Sequence, residues 1–315
     1  MSRSSSISMP LPLSRPVHIR LLGGLSTVWK ALTANRKVAV GSGIVAFFIL
    51  VAIFASVFIH QDPNLLSANA NQSPSAAHWL GTTATGQDVF NQLVLGTRSS
   101  IFWGFITGIG VTILSIVVGL IGGYMGGLID EVLSLVTNVF LVLPALPLAI
   151  VLASYFPRGA QTISLVIVVT SWSWGARVLR AQTLSMRSRE FVTAASACGE
   201  SIWRIIFWEI LPNEISIVAA NFVSTTLYVI LAEVSLEFLG LGDANAVSWG
   251  TMFYWAQKAD ALLLGLWWWF IPPGLCIAVL GAGLALINFG IDEIANPRLR
   301  TEPVPKALKN KKVVA

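Results

Sequence analysis

Six runs of mainly apolar residues, each close to the length needed to cross a bilayer, constrain this 315-residue chain more than any other feature. Water is absent from the hydrocarbon core, so backbone polar groups there must be bonded within the segment, which makes such runs helical. The chain is 55% hydrophobic and only 11% charged, which excludes a soluble domain of this length. We therefore predict an all-α, polytopic membrane protein with six transmembrane helices. The predicted spans are residues 38–59, 101–122, 132–153, 160–176, 215–236 and 267–289.

The distribution of basic residues predicts the orientation of these spans, because lysine and arginine accumulate on the cytoplasmic side of membrane proteins. With the N-terminus inside, the outer loops keep only Arg98, Arg158 and Lys258 of the 20 lysines and arginines. The net charge of +5 follows from this topology, and we expect no nucleic acid as a partner. The predicted regions are a cytoplasmic tail with a short surface helix (1–37), a transmembrane domain (38–293) and a basic cytoplasmic tail (294–315).

Residues 188–213 form the one internal segment that is amphipathic and charged rather than continuously apolar. Ser188 is the candidate N-cap of a first short helix, and Glu190 places a negative charge in its first turn, where the helix dipole favours it. The predicted apolar face of this helix consists of Phe191, Ala194, Ala195 and Cys198.

Gly199 predicts a bend into a second short helix, because glycine adopts backbone conformations that strain other residues. Ser201 is the candidate cap of this second helix, and Pro212 is predicted to mark its junction with the next segment. The predicted apolar stripe consists of Ile202, Ile205, Ile206 and Ile210. An ordinary amphipathic helix on the membrane surface would show the same pattern.

This segment resembles the cytoplasmic coupling loop of permease subunits in binding-protein-dependent ATP-binding-cassette (ABC) importers, and more closely that of their dipeptide, oligopeptide and nickel branch. The family loop carries Glu-Ala-Ala, then a glycine, then a Leu-Pro pair. Thr193 stands here where the family usually has the glutamate. The resemblance implies that an ATPase subunit is contacted by Glu190, Ala194, Ala195, Gly199, Arg204, Leu211 and Pro212.

Two stretches near the outer side also resemble this branch. Residues 80–98 resemble its outer signature, and we expect a structural role at the outer mouth for Gly81, Asp88 and Arg98. Solvated loop charges of little energetic consequence are the alternative for Asp88 and Arg98. Residues 233–250 resemble a further segment of the branch, in which Glu237 replaces a serine.

Polar residues inside the spans are the candidates for lining a pathway. Asn221, Thr225 and Tyr228 share one face of the fifth span, Glu233 follows near its outer end, and Asn138 lies in the third span. Polar groups cost free energy in lipid, so this face should point into the bundle or a water-filled path. Hydrogen bonding between helices is the alternative.

Other residues within the spans predict local features. Pro144 and Pro147 interrupt helical hydrogen bonding in the third span. Trp267, Trp268 and Trp269 begin the sixth span and predict part of an outer aromatic belt, where amphipathic rings are favoured.

The sequence contains no phosphate-binding Gly-x-x-x-x-Gly-Lys-Ser/Thr loop and no cluster of histidines or cysteines. We therefore expect no catalytic residue, metal site or cofactor on this chain. The resemblance implies that ATP and Mg²⁺ bind to two cytoplasmic ATPase subunits. It also implies a second homologous permease and an extracytoplasmic solute-binding protein as partners, with membrane lipid around the spans.

The resulting hypothesis is a non-enzymatic permease subunit, in a bacterial or archaeal cytoplasmic membrane, that forms half of the pathway of an ATP-driven importer. By resemblance to the branch, di- or oligopeptides are the favoured cargo, with nickel or another small solute as alternatives. The rival from another class is a secondary transporter driven by an ion gradient. Such proteins place ionisable residues near the midplane, whereas the acidic residues here cluster near span ends. A membrane scaffold without transport activity is a third hypothesis.

Overall fold

The computed structural model describes residues 35–59 and 62–295, and these residues are mostly helical. Within these ranges, sheet-like pairing is limited to one isolated bridge between Thr82 and Asp88. Most of the predicted N-terminal tail (1–37), with its surface helix, and most of the predicted C-terminal tail (294–315) lie outside the described residues.

Four helices are each long and apolar enough to cross a membrane, and the number rises to six if each of two bent helix pairs is one span. The single helices are α1 (Arg36–Phe58), α2 (Val89–Met125), α8 (Ile202–Phe238) and α10 (Trp267–Ala295). The bent pairs are α3 (Gly127–Val142) with α4 (Ala145–Ser154), and α5 (Ala160–Ser171) with α6 (Ser173–Arg187). Two short helices, α7 (Glu190–Ala197) and α9 (Trp249–Lys258), lie between them. The predicted all-α, polytopic fold is confirmed.

The predicted interruption of the third span (132–153) is confirmed at Pro144, and the fourth predicted span (160–176) is also bent. Helices α3 and α4 meet at 90°. The residue before a proline disfavours the helical conformation, and Leu143, directly before Pro144, is extended with φ −70° and ψ 130°. Helices α5 and α6 meet at 40° around Trp172, and α6 then continues to Arg187, well beyond the predicted end.

Helix α2 begins well before the predicted second span at 101–122. Its start is fixed by Asp88, whose Oδ1 accepts a hydrogen bond from the backbone N–H of Asn91 at 3.1 Å. Arg98, predicted in an outer loop, therefore lies within α2. The prediction was wrong because apolar runs mark the part of a helix that faces lipid, whereas α2 extends beyond that part with a polar first turn.

Small residues on α2 allow neighbouring helices to approach it closely. Eight of the buried small residues of α2 recur every three or four positions: Gly96, Ser100, Gly104, Gly108, Thr112, Ser115, Gly119 and Gly123. A Cβ on Gly119 would lie 2.7 Å from the carbonyl oxygen of Ala176 in α6, and one on Gly108 would lie 2.6 Å from Thr226 Oγ1 in α8. Helix α2 is thus packed against both α6 and α8 at distances that exclude larger side chains.

Helices α1 and α10 pack together in the same way. A Cβ on Gly41 would lie 2.5 Å from the carbonyl oxygen of Gly283. At one end of this pair Lys37 forms an ion pair with Glu293, and Asn35 Nδ2 donates to Glu293 Oε2 at 2.6 Å. The start of α1 and the end of α10 therefore lie on the same side of the bundle.

The predicted aromatic belt at the start of α10 is wrong for two of its three tryptophans. Trp267 is exposed, but Trp268 and Trp269 are only 8% and 3% exposed. Trp268 Nε1 donates a hydrogen bond to the carbonyl oxygen of Thr82 at 3.2 Å. The outer segment before α2 thus covers Trp268, a long-range contact that hydropathy does not reveal.

We expect Gly119→Ala to destabilise the protein and Gly43→Ala not to. Both substitutions improve helix propensity by about 1 kcal/mol, but only at Gly119 does the added methyl meet a neighbouring backbone, since no atom lies within 4 Å of a Cβ on Gly43. The midpoint of thermal unfolding in detergent should fall for Gly119→Ala and stay level or rise for Gly43→Ala. Equal midpoints for the two variants would contradict this account of α2 packing.

Candidate functional site

Residues 188–213, predicted to couple to an ATPase and called the coupling segment below, run from the end of α6 into the first part of α8. Helix α7 begins after Arg189, which has extended backbone angles and makes no side-chain cap. Ser188 ends α6 instead, so its predicted N-cap role is wrong. Thr193 Oγ1 donates to the carbonyl oxygen of Glu190 at 3.0 Å and so bonds within its own helix.

Helix α7 presents most of its surface outward. Its buried residue is Val192, which packs in one cluster with Met186, Ile205 and Ile210. Phe191, Ala194 and Cys198, predicted to share an apolar face, are all exposed, and Ala195 is half-buried. The side of α7 that carries Glu190, Ala194 and Ala197 is therefore open, with small side chains, and no other described element covers it.

The predicted bend at Gly199 is confirmed. Gly199 has φ +79°, in the left-handed region that strains residues with a Cβ, and Ser201 Oγ accepts from the Arg204 backbone N–H at 3.4 Å. Arg204 forms an exposed ion pair with Glu200, with 3.0 Å between Nε and Oε2.

The second helix of the segment does not end at Pro212. Residues Ile205–Ile210 form a π-helical turn, and the helix continues without a break to Phe238. The wider turn accommodates Pro212, which has no backbone N–H to donate. Ile202 is exposed, whereas the other three isoleucines of the predicted stripe are buried. The coupling segment is thus directly continuous with a membrane span.

An ion pair that the sequence analysis did not predict holds the helix that leads into this segment. Arg180 of α6 donates from Nε and Nη2 to Asp130 of α3, at 2.5 Å to Oδ1 and 2.7 Å to Oδ2. Ser134 Oγ also donates to Asp130 Oδ1, at 3.1 Å. Two parallel bonds fix orientation as well as distance. The one sequence signal was an aspartate closely following a run of glycines.

Glu214 is a second residue that the sequence analysis missed. It lies in the part of α8 that follows the π-helical turn and is fully buried. Its Oε1 accepts a hydrogen bond from Thr183 Oγ1 of α6 at 3.0 Å. A carboxyl group beside a proline and an asparagine gives no sequence signal of burial.

The candidate pathway residues do not form one continuous surface. Asn221 of α8 is packed against α2 and α6: its Nδ2 lies 2.6 Å from the Cβ position of Gly175 and has no hydrogen-bond partner in the described chain. Thr225 is half-buried and Tyr228 is exposed. Asn138 is exposed on α3, which packs against α2 and α6 rather than beside Tyr228. The polar stripe therefore runs from a helix contact to an open face.

Two carboxyl groups lie buried one turn apart at the end of α8 that is distant from the coupling segment. Glu233 is 3% exposed and faces Gly104 of α2. Glu237 is 5% exposed, and its Oε2 accepts a hydrogen bond from Ser248 Oγ at 2.5 Å. Ser248 also caps α9 through a reciprocal pair of bonds with Thr251. Glu237, which the sequence analysis noted only as a replacement for serine, thus ties α8 to α9.

The outer segment before α2 is held by the residues singled out there. Asp88 Oδ2 lies 2.7 Å from His78 Nδ1, in addition to capping α2. Gly81 lies against the Trp268 ring, where a Cβ would come within 2.8 Å of Nε1. Arg98 Nη1 donates to Ser56 Oγ of α1 at 2.7 Å. Gly81, Asp88 and Arg98 therefore each make a contact within this chain.

Comparison with known proteins shows which family this chain belongs to. Residues 115–301 match the family described as the binding-protein-dependent transport system inner membrane component. The chain belongs to this family. Residues 25–76 also match the N-terminal transmembrane domain of oligopeptide transport permease C. The protein is thus a multi-pass membrane permease component of a binding-protein-dependent transport system.

Individual relatives of this permease component are named for peptide transport. An oligopeptide transport system permease protein, OppC of Bacillus subtilis, is 32% identical over 283 residues, covering 87% of this chain and 91% of the relative. A dipeptide transport system permease protein, DppC of Alkalihalophilus pseudofirmus, is 32% identical over 279 residues, covering 87% and 90%. A glutathione transport system permease protein, GsiD of Pectobacterium atrosepticum, is 27% identical over 306 residues, covering 95% and 99%.

We expect Ser248→Ala to destabilise this permease component, because it leaves the buried Glu237 carboxyl without its hydroxyl donor. Loss of one partner of a buried hydrogen bond costs about 1–3 kcal/mol. Ser235→Ala is the matched control, since Ser235 Oγ bonds only to the carbonyl oxygen of Leu231 in its own helix. Thermal unfolding should separate the two variants. If Ser248→Ala has the midpoint of Ser235→Ala, the Glu237 contact is not stabilising.

Proposed function

We propose that this permease component forms half of the transmembrane pathway of an ATP-driven importer and that its cargo is a di- or oligopeptide. The cargo assignment draws on the relatives, which are named for oligopeptide and dipeptide transport. The observation that carries the coupling role is the open α7 face beside a helix that runs unbroken into the membrane.

Helix α8 supplies the mechanical link in this proposal. It extends from Ile202, next to the Gly199 bend, to Phe238 at the outer side. At a rise of about 1.5 Å per residue, this helix is on the order of 55 Å long. A displacement of α7 would therefore move the α8 end that carries Glu233 and Glu237. This is the rigid-body movement that alternating access requires.

The partners in this proposal are two cytoplasmic ATPase subunits, a second homologous permease and an extracytoplasmic solute-binding protein. ATP and Mg²⁺ bind to the ATPase subunits, whose closure moves the coupling segments of both permeases. The contact on this chain is formed by Glu190, Ala194, Ala195, Gly199, Arg204, Leu211 and Pro212. Small side chains at its centre permit close approach of a partner backbone. Both termini then lie in the cytoplasm of a bacterial or archaeal cell.

The pathway in this proposal lies along the exposed part of the polar stripe. Tyr228 and Thr225 are its central residues, and the more buried Asn221 and Glu233 lie towards the two ends of the stripe. Asn138, on α3, lies apart from the stripe and is a further candidate. The second permease faces this surface, so each chain contributes one wall. Polar side chains there replace the water that surrounds a peptide in solution.

An ion-gradient-driven transporter is the second candidate function, because Glu233 and Glu237 are carboxyl groups buried within a spanning helix. Uptake in vesicles separates the two functions. The importer requires ATP and the binding protein and is unaffected by ionophores that collapse ion gradients. Competition by unlabelled dipeptides, but not by nickel chelates, would support a peptide cargo.

Affinity purification of the tagged chain from its native membrane, followed by mass spectrometry, tests the partner assignment. The importer predicts an ATPase with a phosphate-binding loop, a second permease and a solute-binding protein among the retained proteins. Recovery of the chain alone, or as a homo-oligomer even after cross-linking, would contradict it.

We expect Ala194→Trp to uncouple ATP hydrolysis from uptake without unfolding the protein. Ala194 is exposed, so an indole there meets nothing within this chain but blocks close approach of a partner. Uptake should fall about tenfold or more, which corresponds to about 1.4 kcal/mol of lost contact energy. Ala194→Ser is the matched control and should transport normally. Normal uptake in the tryptophan variant, at unchanged membrane abundance, would contradict the proposed α7 contact.

A further inference from the structure

A crevice of about 320 Å³ lies at the cytoplasmic end of α2, between that end and the coupling segment, beside the open α7 face. It is walled by the end of α2, the end of α6 and the edge of α7 that carries Val192 and Ser196. Glu190, Ala194 and Ala197, which face the proposed ATPase contact, do not line it. The crevice is therefore a separate surface from that contact.

Arg187 supplies the only charge in the lining of this crevice. Its guanidinium lies over Gly126, where Nη1 is 2.7 Å from the position a Cβ would occupy. Gly126 has φ +68°, so the left-handed turn between α2 and α3 both requires glycine and makes room for the guanidinium.

Arg187 makes no ion pair within 4 Å in the described chain, and the nearby Asp130 carboxylate, with which it interacts electrostatically, is already held by Arg180. Two other arginines on the cytoplasmic side do have partners: Arg180 binds Asp130 through two bonds, and Arg204 pairs with Glu200. Thr193, in the crevice lining, is neutral and bonds to its own helix. The crevice thus keeps a net positive charge.

Hydroxyl groups accompany this charge. Tyr124 and Ser196 line the crevice, and neither side chain has a hydrogen-bond partner within the described residues. A planar guanidinium with hydroxyl donors beside it is suited to the oxygens of a phosphate group. The chemistry of the crevice therefore favours a phosphate-bearing anion.

The position of the crevice indicates where such a phosphate comes from. Tyr124 and Met125 end a membrane-spanning helix, so the crevice lies at a membrane boundary. Directly beyond it, α3 begins with a strongly exposed apolar face that includes Leu128 (75% exposed), Ile129 and Val132. An acyl chain needs such a surface, whereas a free phosphate or an acidic protein side chain does not.

We propose that this crevice binds the phosphate of an anionic phospholipid, with the acyl chains along the start of α3. Basic pockets between helices on the cytoplasmic side are a known means of headgroup recognition. The bound lipid would contact α7 through residues other than those of the ATPase contact and so stabilise the coupling segment. This inference does not depend on the cargo or on the ATPase.

The test uses the full chain in nanodiscs of mixed phosphatidylglycerol and phosphatidylcholine, with native mass spectrometry of the retained lipid. The unmodified protein should retain phosphatidylglycerol preferentially. Arg187→Ala and Thr193→Glu should weaken this preference about five- to tenfold, because one removes the charge and the other offsets it. Arg189→Ala, which removes a charge outside the crevice lining, is the matched control and should behave like the unmodified protein.

Three results would overturn the proposal. Equal phosphatidylglycerol retention in all four proteins, or an equal loss in Arg189→Ala, would mean that general charge attraction accounts for the lipid. Inorganic phosphate binding to the detergent-solubilised chain without any lipid preference would indicate a free anion instead. A protein contact would be indicated if Arg187→Glu abolished co-purification of the ATPase while lipid retention stayed unchanged. A charge reversal on the ATPase should then restore the co-purification.

Discussion

The close approach of neighbouring helices to α2 is the contact on which the rest of this structure depends. Helices in lipid gain little from hydrophobic burial, so van der Waals contact between closely packed backbones must hold them together. The small residues of α2 recur every three or four positions, and a step of four residues advances the contact face by about 40° around the helix. The stripe therefore winds around α2, so that Gly96 faces the start of α9, Gly108 faces α8 and Gly119 faces α6. One helix thus positions both the helix that leads into the coupling segment and the opposite end of α8.

Polar side chains then fix the junctions that this packing leaves open. Asp130 and Arg180 join α3 to α6, Thr183 and Glu214 join α6 to α8, and Glu237 and Ser248 join α8 to α9. Each pair bridges two helices at a point where one of them ends or changes direction. A polar group in a membrane protein is expensive unless it is bonded, so these pairs specify a single arrangement as well as stabilising it. The coupling segment and the outer end of α8 are consequently parts of one connected framework.

Much of this architecture follows from the sequence because lipid restricts the choices available to the chain. Apolar runs predicted the spans, and the Gly199 bend and Ser201 cap followed from local backbone chemistry. Local reasoning failed where tertiary contacts or helix continuity decided. The π-helical turn absorbs Pro212, so a residue expected to mark a junction lies inside a long helix. Trp268 is covered by a segment distant in sequence, so its hydropathy predicted a belt that the fold does not form.

The sequence by itself determined the class of this protein, the approximate positions of its spans and the location of the coupling segment. These depend on composition and on short-range backbone preferences, which do not depend on the tertiary contacts of the residues. Only the tertiary structure decided which face of α7 is open and that Glu214 and Glu237 are buried. It also decided that Arg187 is the one charged residue in the lining of a crevice. Those properties arise from residues far apart in the chain. Which helices meet decides whether a side chain is buried and which partner it binds. Side chains of the same kind are therefore exposed at one position and buried at another.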